Sequence, residues 1–257
     1  MEPPVSTREI YDSNAAQWER KDRVLLSDFT ARSDVINALA PLSGAHVLDI
    51  GCAEGYVARL VADAGAASVF GIDISNEMIQ NAQKAASAGS RCPMTFVTGD
   101  AAAISAFPRE RFDRIMAVFS FNYMTLAAMT RVLHTARERL APGGRLVFVV
   151  PHPCFPFMRA AAAPYYFNPA GYSYFDGIDV AFEGGIWRLD GRAVPVRCLH
   201  KTFSDYFAAL ANVGFTAAPK VIELKVTEEH IKIDKEFFSP LRGYPLHVLF
   251  SVSANAA

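Results

Sequence analysis

The chain has 257 residues, a length that fits one α/β domain with an insertion better than two independent cores. With 51% apolar and 20% charged residues it is not disordered, and its net charge of −1 gives no indication of a polyanionic partner. No apolar run reaches the roughly 18 residues that span a bilayer, and the polar N-terminus over residues 1–9 differs from a signal peptide. These features predict a soluble, cytoplasmic protein without membrane or nucleic-acid partners.

Cysteine and histidine spacing gives no indication of a metal centre. The four cysteines include no CxxC pair. The six histidines form no HExxH or HxH pattern that would place two imidazoles on one face of a helix or strand. We therefore expect free thiols and no metal ion.

The N-terminal region is predicted to form a helical cap over about residues 1–40. Apolar residues recur at helical spacing over residues 7–23 and again over residues 28–39. A short apolar strand follows at residues 47–50 and opens onto the turn GCAEG, after which helical spacing returns. The chain therefore enters its main body as a strand, a glycine turn and a helix.

Five predicted strands alternate with helices in the first 150 residues. The strands are predicted at residues 47–50, 68–74, 94–98, 112–119 and 145–150. Each strand–helix–strand unit returns the chain to the same end of the sheet, so the alternation requires parallel pairing with right-handed crossovers. The predicted fold class is α/β.

An aromatic-rich insertion interrupts this order over about residues 151–199. Its phenylalanines and tyrosines are interleaved with glycine and proline and show no period, which is typical of a functional lid or of a short hairpin. A dimer surface is the alternative, because exposed aromatic patches also mark interfaces. A helix at residues 203–212 and strands at residues 220–226 and 246–252 then complete a single domain over residues 1–257.

Polar residues follow the first three strands at one edge of the predicted sheet. Gly51 and Gly55 form a turn whose backbone N–H groups can approach a ligand closely. Asp73 ends the second strand, where an acidic side chain binds ribose hydroxyls in dinucleotide folds, and Asp100 ends the third. Since ligands of open α/β sheets bind at the carboxyl ends of the strands, these residues predict a nucleotide-type site.

The segments VLDIGCAEG, GIDIS, TGDAA, FDRIMAVFSFNYM and LAPGGRLVFVV, in this order, resemble a class I S-adenosylmethionine-dependent methyltransferase. The resemblance is close over residues 45–150 and loose over residues 200–252. It implies a Rossmann-like fold, with a mostly parallel seven-stranded sheet, a terminal antiparallel hairpin and helices on both faces. It also implies S-adenosyl-L-methionine as the cofactor and S-adenosyl-L-homocysteine as the product.

The resemblance implies a set of cofactor contacts along the strand ends. The pattern D-x-G-x-G-x-G falls on Asp49, Gly51, Ala53 and Gly55, with Ala53 departing from the usual glycine and Cys52 contributing its backbone. The remaining implied contacts are Asp73 to the ribose, Ile74 and Met78 flanking the adenine, Asp100 with the backbone of Ala101 at the adenine edge, and the Phe119 carbonyl to the amino group. Whether Asp49 contacts the cofactor or only orders the turn stays open at this point.

Two aromatic residues of the N-terminal cap are candidates for a lid over the cofactor. Tyr11 and Trp18 lie in the stretch REIYDSNAAQWERKD, where related proteins fold a helix over the cofactor site. The alternative is that both residues only pack the helix onto the sheet, because aromatic residues at helical spacing usually belong to a core.

Methyl transfer from a sulfonium is an in-line displacement in which alignment does most of the work and a base is optional. If the acceptor loses a proton, an imidazole is the usual base. His200, before the helix after the insertion, and His152, after the fifth strand, are the candidates, and both are expected at the mouth of the crevice. Asn122 stands where relatives often have a histidine, so we expect Asn122 or Tyr123 to form hydrogen bonds there.

The predicted function is transfer of a methyl group to a small organic acceptor by O-, N- or C-methylation, in secondary metabolism. An insertion rich in phenylalanine and tyrosine favours an aromatic or apolar acceptor. An NAD(P)-dependent oxidoreductase shares the glycine turn and the acid after the second strand, although TGDAA and FDRIMAVFSFNYM disfavour it. A non-catalytic S-adenosylmethionine-binding module also stays open, as does the choice between monomer and homodimer.

Overall fold

The computed structural model describes residues 7–86, 92–102 and 110–254, so the first six residues of the predicted cap lie outside the described residues. The described strands are β1 (His46–Ile50), β2 (Ser68–Asp73), β3 (Met94–Thr98), β4 (Phe112–Val118), β5 (Leu140–Pro151), β6 (Tyr165–Phe167), β7 (Ala181–Trp187), β8 (Ala193–Leu199), β9 (Lys220–Leu224) and β10 (His247–Ser253). The described α-helices are α1 (Thr7–Trp18), α2 (Leu26–Thr30), α3 (Arg32–Leu39), α4 (Tyr56–Asp63), α5 (Asn76–Ala86), α6 (Leu126–Arg139), α7 (Phe203–Asn212), α8 (Glu228–Ile233) and α9 (Lys235–Phe238).

Seven of the described strands form one mostly parallel sheet in the order β3-β2-β1-β4-β5-β10-β9. β1 pairs in parallel with β2 and β4, and parallel pairing continues to β3 on one side and to β5 on the other. β10 lies antiparallel between β5 and β9. The predicted Rossmann-like fold with a terminal antiparallel pair is confirmed.

Alternating apolar side chains give the sheet a core on each face. In β1, Leu48 and Ile50 belong to one core and Val47 belongs to the other, as the two-residue period of a strand requires. Helices α6 and α7 cover the first core, and helices α3, α4 and α5 cover the second. Because helices occupy both faces, the ends of the strands are left to form a ligand site.

The aromatic insertion contains a second sheet, which the sequence did not predict. β7 pairs antiparallel with β6 and with β8, so the segment is more regular than the predicted lid loop or short hairpin. Val194, Val196 and Cys198 alternate inward along β8, and this period was the missed signal. Pro195 obscured it, although proline is tolerated on an edge strand such as β8.

The N-terminal cap differs from its prediction at two points. α1 ends at Trp18 rather than at residue 23, and the chain then turns so that Arg20 donates a hydrogen bond to the Trp18 carbonyl at 2.9 Å. The predicted helix over residues 28–39 is divided into α2 and α3, because the backbone leaves helical conformation at Ala31, where φ is −150°. No helix in the described ranges has both the length and the apolar character needed to cross a membrane.

Candidate functional site

A cavity of about 350 Å³ lies at the carboxyl ends of the parallel strands. Its floor is formed by the ends of β1, β2 and β4, and residues of the N-terminal cap form another wall. The second sheet contributes Tyr165, Phe167, Ile186 and Val196. The cavity therefore lies where the main sheet, the cap and the insertion meet.

The turn after β1 brings backbone to the cavity wall. Gly51 has φ +73° and Ala53 has φ +47°, both in the left-handed region that favours glycine. A β-carbon on Gly51 would lie 2.6 Å from the Cβ of Ser120, which is closer than atoms pack. Ala53, where the sequence pattern departs from glycine, keeps the left-handed conformation that the pattern requires.

Asp73 holds this turn in place. Its Oδ2 accepts a hydrogen bond from the backbone N–H of Ala53, and its Oδ1 accepts one from the N–H of Ser75, each at 2.9 Å. Burial raises the pKa of the Asp73 carboxyl above its ordinary range. Each carboxylate oxygen can accept a second hydrogen bond, so the same side chain can organise the turn and bind hydroxyls in the cavity.

Asp49 points a buried carboxyl group at the same cavity. The residue is 1% exposed, and its Oδ2 has no hydrogen-bond partner among the residues that the structure describes. Burial, followed by repulsion from Asp73 and Glu54, raises the pKa of Asp49 to about 8. A cationic group in the cavity would favour the ionised carboxylate and supply the missing partner.

A buried charge network in the cap also lines the cavity, and sequence reasoning missed it. Arg20 pairs with Asp28 at 3.1 Å and with Glu54 at 2.5 Å, and Arg32 pairs with the other oxygen of Asp28 at 2.8 Å. The Nε atom of Arg32 has no hydrogen-bond partner within the described ranges. Asp28 and Arg32 are only four residues apart, but Glu54 lies 34 residues after Arg20, and only the fold brings it to this network.

Aromatic residues of the cap and of the segment after β4 meet over the cavity. The ring of Tyr11 lies 5.6 Å from that of Trp18 and 5.2 Å from that of Tyr123. Burial raises the pKa of the Tyr123 phenol to about 12, so this hydroxyl keeps its proton at neutral pH. The cap and the segment after β4 thus together contribute an aromatic surface and phenol hydroxyls to the cavity.

The structure brings most of the predicted site residues to the wall of this cavity. Those that line it are Tyr11, Trp18, Asp49, Gly51, Cys52, Ala53, Asp73, Ile74, Asp100, Ala101, Phe119, Asn122 and Tyr123. Four others lie outside the lining: Gly55, Met78, His152 and His200. Gly55 is the N-cap of α4 with φ +74°, and Met78 is fully buried in the core beneath the second sheet.

The predicted position of the two histidines at the crevice mouth is wrong. The ring of His200 is enclosed by Phe182 and other aromatic rings, and its Nε2 is 2.8 Å from the carbonyl oxygen of Tyr174. His152 places Nε2 2.8 Å from Glu223 and accepts a backbone N–H at Nδ1. Both side chains are occupied by structural hydrogen bonds away from the cavity.

A third histidine, which the sequence reasoning did not select, does line the cavity. His247 is the first residue of β10 and pairs with Pro151, the last residue of β5. Because β10 is antiparallel, its first residue lies at the same edge of the sheet as the carboxyl ends of the parallel strands. The predicted antiparallel direction of the last strand already implied that its first residue lies at this edge, so it could have identified His247.

Comparisons with known proteins agree with this architecture. Residues 47–144 match the family described as "Methyltransferase domain". The chain is 33% identical over 161 residues to the demethylmenaquinone methyltransferase of Tropheryma whipplei, an alignment that covers 62% of this chain and 63% of the relative. This chain thus spans less than two thirds of that relative.

Solved structures share the fold over most of the chain. A crystal structure of an S-adenosylmethionine dependent methyltransferase from Mesorhizobium loti superposes with a TM-score of 0.64, at 24% identity, over 88% of this chain and 99% of the other. A second, from Listeria monocytogenes, gives a TM-score of 0.62 at 22% identity and covers 87% and 96% of the two chains. At these identities the likeness concerns the fold.

Proposed function

We propose that this chain, which carries a class I methyltransferase domain, transfers a methyl group from S-adenosylmethionine to a small organic acceptor. One observation carries the proposal: the glycine turn, Asp49 and Asp73 lie together at one wall of the cavity. All of these residues belong to the segment that matches the methyltransferase family. The cavity continues from this wall to the second sheet. One cavity is therefore lined both by the residues proposed to hold the cofactor and by the second sheet.

The residues around the turn fit the proposed cofactor. Asp73 would accept hydrogen bonds from the ribose hydroxyls while it holds the turn. The unpartnered oxygen of Asp49 could accept from the cationic amino group of the methionine part, and the cap arginines would offer positive charge to the carboxylate of the cofactor. Gly51 lets the side chain of Ser120 pack closely against the turn, where a β-carbon would collide with it.

The second sheet supports an acceptor that is at least partly apolar. Tyr165, Phe167, Ile186 and Val196 present aromatic and aliphatic surface to the cavity. Other aromatic residues of the insertion are on the outside, where Phe175 is 73% exposed. We assign the inner surface of this sheet to acceptor binding, in the role of the predicted lid.

Bound S-adenosylmethionine supplies an electrophilic methyl group on a sulfonium. The protein contributes alignment and exclusion of water, which are the main sources of acceleration for such an in-line transfer. Tyr11, Trp18 and Tyr123 cover the cavity from the cap side. Asn122 contributes a hydrogen-bonding amide, in place of the base that His152 or His200 was predicted to supply.

Calorimetric titration of the purified protein with S-adenosylmethionine, S-adenosylhomocysteine and NAD tests the proposal. We expect binding of the two sulfur nucleotides, no binding of NAD, and at least about tenfold weaker nucleotide binding by Asp73→Asn, because one carboxylate oxygen becomes an amide donor. Binding of NAD alone, or of none of the three, would contradict the proposal.

Asp113→Asn is the matched control. The Oδ2 of Asp113 also accepts a backbone N–H, that of His46 at 2.8 Å, but at the opposite edge of the sheet. Loss of nucleotide affinity in Asp73→Asn together with normal affinity in Asp113→Asn separates a site effect from general damage. Equal losses in both variants would indicate damage to the sheet.

A further inference from the structure

His247 occupies a position in the cavity that the proposed cofactor contacts do not use. Its ring is fully buried between the ring of Phe119, at 4.9 Å, and the ring of Tyr165, at 5.3 Å. Phe119 follows β4 on the cofactor side, and Tyr165 belongs to the second sheet. His247 therefore lies at the junction between the cofactor wall and the proposed acceptor wall.

Hydrogen bonds define which nitrogen of His247 carries the proton. The hydroxyl of Thr30 donates its single hydrogen to the carbonyl of Leu26 at 3.0 Å. The same hydroxyl oxygen lies 3.1 Å from Nε2 of His247, and with the hydroxyl hydrogen assigned to Leu26 we assign Nε2 as the donor of this contact. Nδ1 of the neutral ring is then a bare acceptor, and it has no partner among the described residues.

Asn122 provides a second acceptor of the same kind. Its Nδ2 donates to the carbonyl of Arg197 at 3.2 Å, which fixes the orientation of the amide. Its Oδ1 is buried and has no partner within the described part of the chain. His247 and Asn122 both line the cavity, so two residues of its wall carry a buried acceptor atom without a described partner.

The charge around His247 restricts the donor. The guanidinium of Arg32 lies 5.5 Å from the ring of Phe119, which packs against His247, so this part of the cavity is next to a buried positive charge. The Asp28 carboxylate next to Arg32 is already shared by Arg20 and Arg32, so it offers a cationic amine no free counter-ion, whereas a neutral hydroxyl needs none. Burial, with Arg32 and His152 as further causes, lowers the pKa of His247 to about 3. The ring is therefore a hydrogen-bond acceptor rather than an effective base near neutral pH.

We propose that the acceptor molecule is hydroxylated and neutral, and that its O–H donates to Nδ1 of His247 while its apolar body packs on the second sheet. This inference rests on the proposed methyl transfer and adds the substrate class. His247 is then the residue that binds and orients the hydroxyl. Asn122 accepts from a second donor of the same molecule.

The test uses three naphthalene derivatives as probes, titrated into protein saturated with S-adenosylhomocysteine. 2-Naphthol carries an O–H, 2-methoxynaphthalene has the same aromatic body without it, and 2-(aminomethyl)naphthalene carries a cation. We expect 2-naphthol to bind about tenfold more tightly than either of the others. Equal binding of the three, tighter binding of the amine, or no binding of 2-naphthol would overturn the inference.

His247→Gln isolates the contribution of Nδ1. The glutamine amide nitrogen can keep the donor to Thr30, but the side chain has no acceptor at the position of Nδ1. We expect this variant to lose the preference for 2-naphthol, and His134→Gln, at a histidine with a 62% exposed side chain, to keep it. A preference that survives in His247→Gln would overturn the inference.

A spectroscopic measurement covers the case in which His247→Gln does not fold. Long-range proton–nitrogen spectra of histidine-labelled wild-type protein should show His247 as the neutral Nε2–H tautomer, with its Nδ1 resonance shifted by 2-naphthol only. The opposite tautomer would overturn the inference. Failure of S-adenosylhomocysteine to bind, with the 2-naphthol preference intact in the free protein, would instead overturn the methyl transfer and leave this site standing.

Discussion

At the scale of single residues, the site contains buried ionisable side chains whose charge state and pairing affect the stability of the fold. Asp49 is 1% exposed and its Oδ2 has no hydrogen-bond partner among the described residues, and Arg20 and Arg32 share Asp28 in the cap. Burial of a polar or charged side chain lowers the stability of the folded protein unless a hydrogen-bond partner or an opposite charge offsets it. Two consequences for folding can be measured.

Asp49 makes the stability of the free protein fall as pH rises. Its pKa is about 8 in the folded protein, against about 3.9 for an unperturbed aspartate. Between these values the unfolded chain has released the proton that the folded protein retains, so the unfolding free energy decreases from about pH 4 to about pH 8. We expect Asp49→Asn to gain stability relative to wild type between pH 5 and pH 8 in urea denaturation. A stability difference that is the same at both pH values would contradict this assignment.

Arg20 stabilises the cap through buried pairs with Asp28 and Glu54. Arg20→Met leaves both carboxylates without this partner, and we expect a loss of about 3 kcal/mol in the unfolding free energy from urea denaturation. Arg192→Met is the control, because Arg192 pairs with Asp190 at 2.6 Å but its side chain is 67% exposed, and we expect little change. Similar losses of unfolding free energy in the two variants would show that burial does not determine how much these ion pairs contribute to stability.

At the scale of elements, the turn between β1 and α4 requires a residue without a β-carbon at Gly51. Gly51 and Gly44 have φ of +73° and +74°, so alanine at either position costs about 1–2 kcal/mol in backbone strain. Only at Gly51 would the added carbon also collide with Ser120, whereas at Gly44 it would meet no described heavy atom within 4 Å. We expect calorimetry to show loss of S-adenosylhomocysteine binding in Gly51→Ala but not in Gly44→Ala. Retained binding in Gly51→Ala would contradict the proposed role of the turn.

The sequence predicted elements well where a local pattern determines them. The helix at Phe203–Asn212 has its predicted bounds, and the structure shows that Thr202 caps its first turn. The second sheet was missed, because short antiparallel strands with internal glycine and proline have a weak period. The split of the cap helix at Ala31 was also missed, because no sequence signal marks it.

The candidate site was predictable on the cofactor side and not on the acceptor side. Asp73 and the glycine turn follow strands in sequence, so their meeting at one edge follows from parallel pairing alone. Arg32 and His247 reach the cavity only through the cap and through the reversed last strand. The predicted histidines, His152 and His200, have plausible sequence positions, but their hydrogen bonds turn them into structural groups.

At the scale of the whole molecule, three parts enclose one cavity. The main sheet supplies the turn and the carboxylates, the N-terminal cap supplies aromatic rings and arginines, and the second sheet supplies apolar surface. From this division we propose that the cofactor binds to the sheet and cap, and the acceptor to the region between β10 and the second sheet. The family match covers residues 47–144, whereas residues of the cap, the second sheet and β10, all outside this range, also line the cavity.

A crystal structure of the protein with S-adenosylhomocysteine tests this account most directly. We predict ribose hydroxyls within hydrogen-bond distance of the Asp73 carboxylate, the amino-acid end over the turn at Gly51, and space left between the sulfur atom and His247. Electron density for the nucleotide elsewhere on the protein, or a ribose held without Asp73, would contradict the account.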